Sequence, residues 1–151
     1  MAAVALSGAD TITINNTILA DLADGDAVML EFPNEIASVK TGKNGNAIYG
    51  LNESGKQADV KIRLVRGSAD DKFLNSLLVQ QQLNFAGTIL MIGEFVKVIG
   101  HGDGSLTQDT YIMSGGVFTK QVLAKSNVEG DSAQSVSEYT IRFSNSPRAL
   151  T

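Results

Sequence analysis

One short stretch constrains the fold of this chain more than any other. From residue 57 to 64 the side chains alternate without a slip. Ala58, Val60, Ile62 and Leu64 point one way, and Gln57, Asp59, Lys61 and Arg63 point the other. A period of two is the signature of a strand with one face on a core and one on water or polar partners. The period then changes. Ser68, with Asp70 and Asp71 behind it, reads as a capped helix start, and Phe73, Leu74, Leu77 and Leu78 follow at helical spacing. The pattern predicts one helix over residues 69–83, lying with its apolar stripe on a sheet.

The remainder reads as β. Residues 11–14 alternate β-branched side chains, and Asn15-Asn16 offers a turn because Asn tolerates the left-handed region. A second turn at Asp24-Gly25-Asp26 leads to a strand over 27–32 that Pro33 ends or places at an edge. Residues 36–40 form another strand. The stretch 41–56 then reads as a long solvated loop or hairpin with Asn44-Gly45 as its turn, interrupted by Ile48, Tyr49 and Leu51. Residues 89–92 are apolar on both faces, which predicts a strand covered on both sides. Gly93 marks a bulge or a close backbone approach. A turn at 101–104 precedes a long strand, or a pair broken at Gly115-Gly116, over 110–123. Tyr139, Ile141 and Phe143 alternate with Glu138, Thr140 and Arg142, and 144–151 is a mostly polar tail. The predicted fold is mainly β, an antiparallel sandwich or barrel with one flanking α-helix, in a single domain over 1–151. Of the 151 residues, 15 are Gly and only 2 are Pro, a balance that suits turns and bulges rather than a disordered linker.

The search for chemistry excludes more than it finds. With no cysteine, thiolate metal sites, disulfides and Cys nucleophiles are ruled out. His101 is the single histidine and opens a turn, so it cannot complete a multi-histidine metal site. A base role with Asp103 is conceivable, but a turn histidine is the simpler reading. Asp70 and Asp71 are adjacent on the helix and do not face each other, so capping charge explains them better than a catalytic pair. The Asp24 and Asp103 turns lack the ligand spacing of a calcium loop. Gly50-Leu-Asn-Glu-Ser-Gly55-Lys56 fits the start of a phosphate loop, but Gln57 stands where Ser or Thr is needed, and a strand follows where a helix should. No metal, cofactor or enzymatic activity is expected. The net charge of -4 and the sequence pI of about 4.9 argue against a groove that grips nucleic acid. No run approaches the ~20 apolar residues of a membrane span, so no membrane insertion is expected. Missing chemistry raises binding or assembly over catalysis.

The run Gly55-Lys-Gln-Ala-Asp-Val-Lys-Ile-Arg-Leu-Val-Arg-Gly-Ser-Ala-Asp-Asp-Lys-Phe-Leu-Asn-Ser-Leu-Leu78 resembles the tail tube proteins of contractile-tailed bacteriophages. In that family a polar-alternating strand passes through a short Ser/Asp turn into a helix of L-x-x-L-L character. The preceding order is also similar: an Asp-Gly turn, a strand, and a Gly/Asn-rich loop. The resemblance implies a β-sandwich whose copies join into six-fold rings. Those rings stack into a hollow tube for genome delivery, with sheath, baseplate and tape-measure proteins as partners. DNA passes through without specific binding, and the tube is part of the virion tail, assembled in the host bacterial cytoplasm. Under this reading Lys43, Asn44, Asn46, Tyr49, Asn52, Glu53 and Lys56 are candidates for an inter-subunit or inter-ring contact. Gln57, Asp59, Lys61 and Arg63 are candidates for a lumen or interface face. Alternating strands have edges that a closed ring would pair, and an acidic chain would not hold DNA. The alternatives are the tube of a phage-derived bacteriocin or type VI secretion machine, and a monomeric β-barrel that binds a small ligand.

Overall fold

The structure is a computed structural model that describes residues 3–7, 10–126, 130 and 132–151. Twelve strands are present among them: β1 (Ala5–Leu6), β2 (Thr11–Ile14), β3 (Thr17–Ile18), β4 (Val28–Glu31), β5 (Ala37–Thr41), β6 (Ala47–Leu51), β7 (Ala58–Val65), β8 (Met91–Gly100), β9 (Leu106–Phe118), β10 (Leu123–Ala124), β11 (Val136–Asn145) and β12 (Arg148–Leu150). One α-helix, α1 (Ala69–Leu83), separates β7 from β8. The fold is mainly β with one flanking helix, as the periodicity predicts, and the helix begins and ends where the sequence pattern places it.

All strand pairs are antiparallel, and ten strands form one sheet in the order β3-β2-β8-β9-β11-β7-β4. Three short strands sit beside this path: β1 on β8, β10 on β11 and β12 on β9. The sheet rolls on itself. Ile12 and Ile14 of β2 share one buried cluster with Val60, Ile62 and Leu64 of β7, although β8, β9 and β11 lie between them in the sheet. A flat sheet at ~4.8 Å per strand would hold these side chains too far apart to touch. Phe32, just after β4, likewise reaches Tyr111 on β9, with ring centroids 6.4 Å apart.

The alternation of residues 57–64 is realised in full: Ala58, Val60, Ile62 and Leu64 are completely buried. β11 continues the same face, with Ile141 opposite Val60 and Tyr139 opposite Ile62. The glycines of β9 do not break the strand. A side chain at Gly116 would sit 2.5 Å from the Phe143 ring, so the missing Cβ is the space that ring occupies. Gly93 combines both expectations: the β8–β9 register shifts between Met91 and Gly93, and a Cβ there would crowd Met113, Ile14 and Phe143.

Three expectations change. Residues 89–92 are not covered on both sides. Met91 is buried, but Ile89, Leu90 and Ile92 are exposed, because β8 begins only at Met91 and its outward face is bare there. The stretch 41–56 is the hairpin alternative: β5 and β6 pair, and a 3-10 turn over Glu53–Lys56 follows. The terminal segment is not a bare tail, because β12 pairs with β9 and Arg148 makes a two-pronged ion pair with Asp109 at 2.7 and 2.8 Å.

The helix is fastened by polar groups as well as by Leu74 and Leu78. Ser68 caps it, accepting from the Asp71 amide at 3.2 Å. Asp70, buried, accepts from the amides of Ala20 and Asp21 at 2.6 and 2.7 Å. Asp71 accepts from the Tyr139 hydroxyl at 2.5 Å, the Ser137 hydroxyl at 3.1 Å and the Gly67 amide at 2.9 Å. The Gln81 amide accepts from the Phe118 N–H and donates to the Phe118 carbonyl, both at 2.8 Å.

Candidate assembly surfaces

The β5–β6 hairpin forms a two-stranded sheet of its own, and every residue of both strands is exposed. Asn44-Gly45 closes it, with Gly45 at φ +83°. The register pairs Ala37 with Leu51, Val39 with Tyr49 and Thr41 with Ala47, which puts these side chains on one face. Ser38, Lys40, Ile48 and Gly50 take the other. One face of the arm is therefore apolar, and no other strand pairs with it among the described residues. An isolated two-stranded hairpin is marginal in water. This one presents Val39, Tyr49 and Leu51 to solvent.

Its base is firmly set. The Asn52 amide donates to the Ile36 carbonyl at 2.9 Å. Gly55 is buried, and a Cβ there would lie 2.7 Å from the Ile36 Cα. The glycine of the apparent phosphate loop thus serves close backbone packing at the hairpin root. Lys56 pairs with Glu53 at 2.9 Å rather than reaching outward, and Asn52 caps the turn, accepting from the Ser54 amide and hydroxyl. Of the residues singled out by sequence, Lys43, Asn44 and Asn46 gather at the tip and Tyr49 lies on the apolar face. Asn52, Glu53 and Lys56 belong to the root. Sequence reading noted Leu51 beside Tyr49 but missed Val39 as their companion, a grouping that only the cross-strand register reveals.

The outward face of β7 carries Asp59, Lys61 and Arg63, and two of these charges, Asp59 and Arg63, are tied down. Arg142 of β11 donates to both Asp59 oxygens at 2.6 and 2.9 Å, and this bond holds the Asp59 carboxyl below its usual range. Arg63 donates to the Asp24 carbonyl at 2.9 Å and sits across from Glu138. Gln57 accepts from Asn34 at 3.4 Å. A second outward face spans β2, β8 and β9. It carries Thr11, Thr13, Glu94, Gln108 and Thr110 together with Ile92, Val96, Val98 and Ile112, and no basic residue.

His101 is more engaged than an exposed turn residue. Its Nδ1 lies 3.0 Å from the Ala3 carbonyl and its Nε2 2.7 Å from the Thr107 hydroxyl. Asp103 is turned instead to the Ser105 hydroxyl and amide, which hold its carboxyl below the usual range. Among the described residues no group of His, Asp or Glu is arranged to hold a metal ion. None of their helices is long and apolar enough to cross a membrane.

Similarity to solved structures covers nearly the whole chain. A chain of the PVC sheath-tube complex, an extracellular contractile injection system in its extended state, superposes with a TM-score of 0.64 at 8% identity, covering 94% of this chain and 88% of that one. A chain of the anti-feeding prophage cap (the AFP tube terminating cap) superposes with a TM-score of 0.60 at 8% identity, covering the same shares. This chain has the fold of contractile injection system components. No protein-family profile and no curated protein matches its sequence.

Proposed function

We propose that this chain is a non-enzymatic subunit of a contractile-tail tube, self-assembling into stacked six-fold rings around a conduit for genome delivery. The carrying observation is that 94% of the chain takes the fold of a sheath-tube complex component. The hairpin supports the reading, since an exposed apolar arm on an otherwise compact molecule calls for a neighbouring subunit. Of the two outward faces, that of β2, β8 and β9 suits the bore, because Glu94 is its only charge and nothing basic on it would grip phosphates. The β7 face, with Lys61 and Arg63, suits contact with other proteins. Sheath, baseplate and tape-measure proteins are the partners that such a tube requires, and the particle tail is where it works. A phage-derived bacteriocin or secretion machine would use the same subunit; head genes beside this one would favour a phage.

The ligand-binding alternative has less support. The groove between the end of α1 and the start of β8, about 260 Å³, falls below the roughly 300–1,000 Å³ of ligand pockets. Negative-stain electron microscopy and size-exclusion chromatography of the purified protein test the proposal. Rings or tubes are expected, and a protein that stays monomeric at high concentration would overturn it.

A further inference from the structure

The hairpin's apolar face needs a cover, and the body offers a surface of the same character. From Phe73 to Gly93 the sequence has no charged residue, in a chain that is 19% charged. The second half of α1 and the connection to β8 leave Leu83, Phe85, Ile89 and Leu90 exposed, Ile89 to 89%. Contiguous apolar exposure of this kind marks an interaction site.

This connection is built rather than loose. Asn84 accepts from the Gly87 amide at 3.1 Å, Thr88 donates its hydroxyl to the Asn84 carbonyl at 3.0 Å, and the Thr88 amide donates to the Phe85 carbonyl at 3.2 Å. The turn therefore holds Phe85 and Ile89 in a defined presentation. Beside Ile89 opens the groove of about 260 Å³, lined by Leu77, Met91 and Phe118. The Gln81 bonds to Phe118 fix one wall.

We propose that this surface receives the β5–β6 hairpin of a second copy of the chain, with Tyr49 entering the groove beside Ile89. The inference rests on the tube-subunit reading and adds the receiving surface to it. Three observations select this occupant. Both surfaces are exposed in the single chain, so the hairpin does not fold back onto its own body. The apolar hairpin face and residues 73–93 are both uncharged, so joining them buries apolar area without stripping water from a charge. The groove exceeds the volume of one aromatic side chain and is walled by apolar and amide groups, which suit a tyrosine ring with a polar tip. Donor and receiver are different patches, so the contact is head-to-tail and propagates, closing into a ring or extending as a filament.

The absence of cysteine makes the test direct. Tyr49→Cys and Ile89→Cys chains are mixed, assembled and mildly oxidised, with Tyr49→Cys plus Lys125→Cys as the control pair. Disulfide-linked dimers are expected from the 49/89 mixture and not from the control. In a second arm, Phe85→Ser with Ile89→Ser should abolish assembly while leaving the unfolding midpoint unchanged, since both side chains are exposed. If wild-type tubes form but the 49/89 pair links no better than the control, or the double-serine variant assembles normally, this contact is wrong and the tube reading survives. Linkage of the Ile89→Cys chain to a sheath-type protein instead of to the Tyr49→Cys chain also overturns it. If the wild-type chain never assembles, both fall.

Discussion

At Asp71 a residue chosen by the helix for its charge is used by the sheet for its lone pairs. Its carboxylate accepts from Tyr139, Ser137 and Gly67 at once, tying α1 to β11. Burial, and then the hydrogen bond to Asp71, push the Tyr139 hydroxyl above its ordinary value of 10.0. The protonated phenol is thus favoured by folding. Its contribution is complete below pH 10 and is lost as pH rises toward the raised folded value. Tyr139→Phe should cost about 2 kcal/mol at neutral pH, read by urea denaturation, and should remove this alkaline dependence. The carboxylates run the opposite way. Arg142 lowers Asp59 and Arg148 lowers Asp109 from the ordinary 3.8. Their contribution is present above about pH 3.8 and is lost as pH falls through the lowered values. Arg142→Gln should therefore flatten the acid limb of the stability profile; an unchanged acid limb would show that the pair is energetically silent.

At the scale of elements, side chains substitute for missing backbone partners. Gln81 satisfies both the N–H and the C=O of Phe118 from the side of a helix, doing there what a neighbouring strand would do. Gln81→Ala should leave both groups unpaired in a buried setting and cost about 3 kcal/mol, measured as a shift in denaturation midpoint. The two glycines of β9 show the converse economy of space. Gly116→Ala would drive a Cβ into the Phe143 ring, and overpacking of this kind costs about 1–3 kcal/mol. A thermal midpoint equal to that of the wild type would show that the ring moves aside freely.

For the whole molecule the telling feature is what the monomer leaves uncovered. The hairpin arm and the 83–90 surface contribute exposed apolar area that the core does not need. Deleting residues 43–55 would remove the arm's tip together with Gly55, which is packed against Ile36 at the root. Replacing residues 39–49 with Asn-Gly is cleaner, since it closes Ser38 onto its partner Gly50 with a two-residue turn. The variant should remain folded by circular dichroism and form no tubes by electron microscopy. Normal tubes from a folded variant would remove the hairpin from the assembly.

The local patterns were legible because they are written in single side chains. The alternation of residues 57–64, the Ser68 cap and the boundaries of α1 follow from periodicity and capping chemistry alone. Even the Gly93 bulge was readable as a local anomaly. What the sequence did not disclose is which apolar faces would find cover. Ala58, Val60 and Ile62 are fully buried, whereas Val39, Tyr49 and Leu51 are bare, and both sets sit on strands with a plain apolar side. Periodicity says that a face is apolar; only the tertiary fold says whether anything lies against it, because burial depends on partners distant in the chain. The same holds for Asp70, Asp71 and Gln81, whose roles depend on Ala20, Tyr139 and Phe118, far away in sequence. The sequence by itself determined the longer strands and the helix, because each is written in a local period. The rolled sheet decided which surfaces remain for a partner.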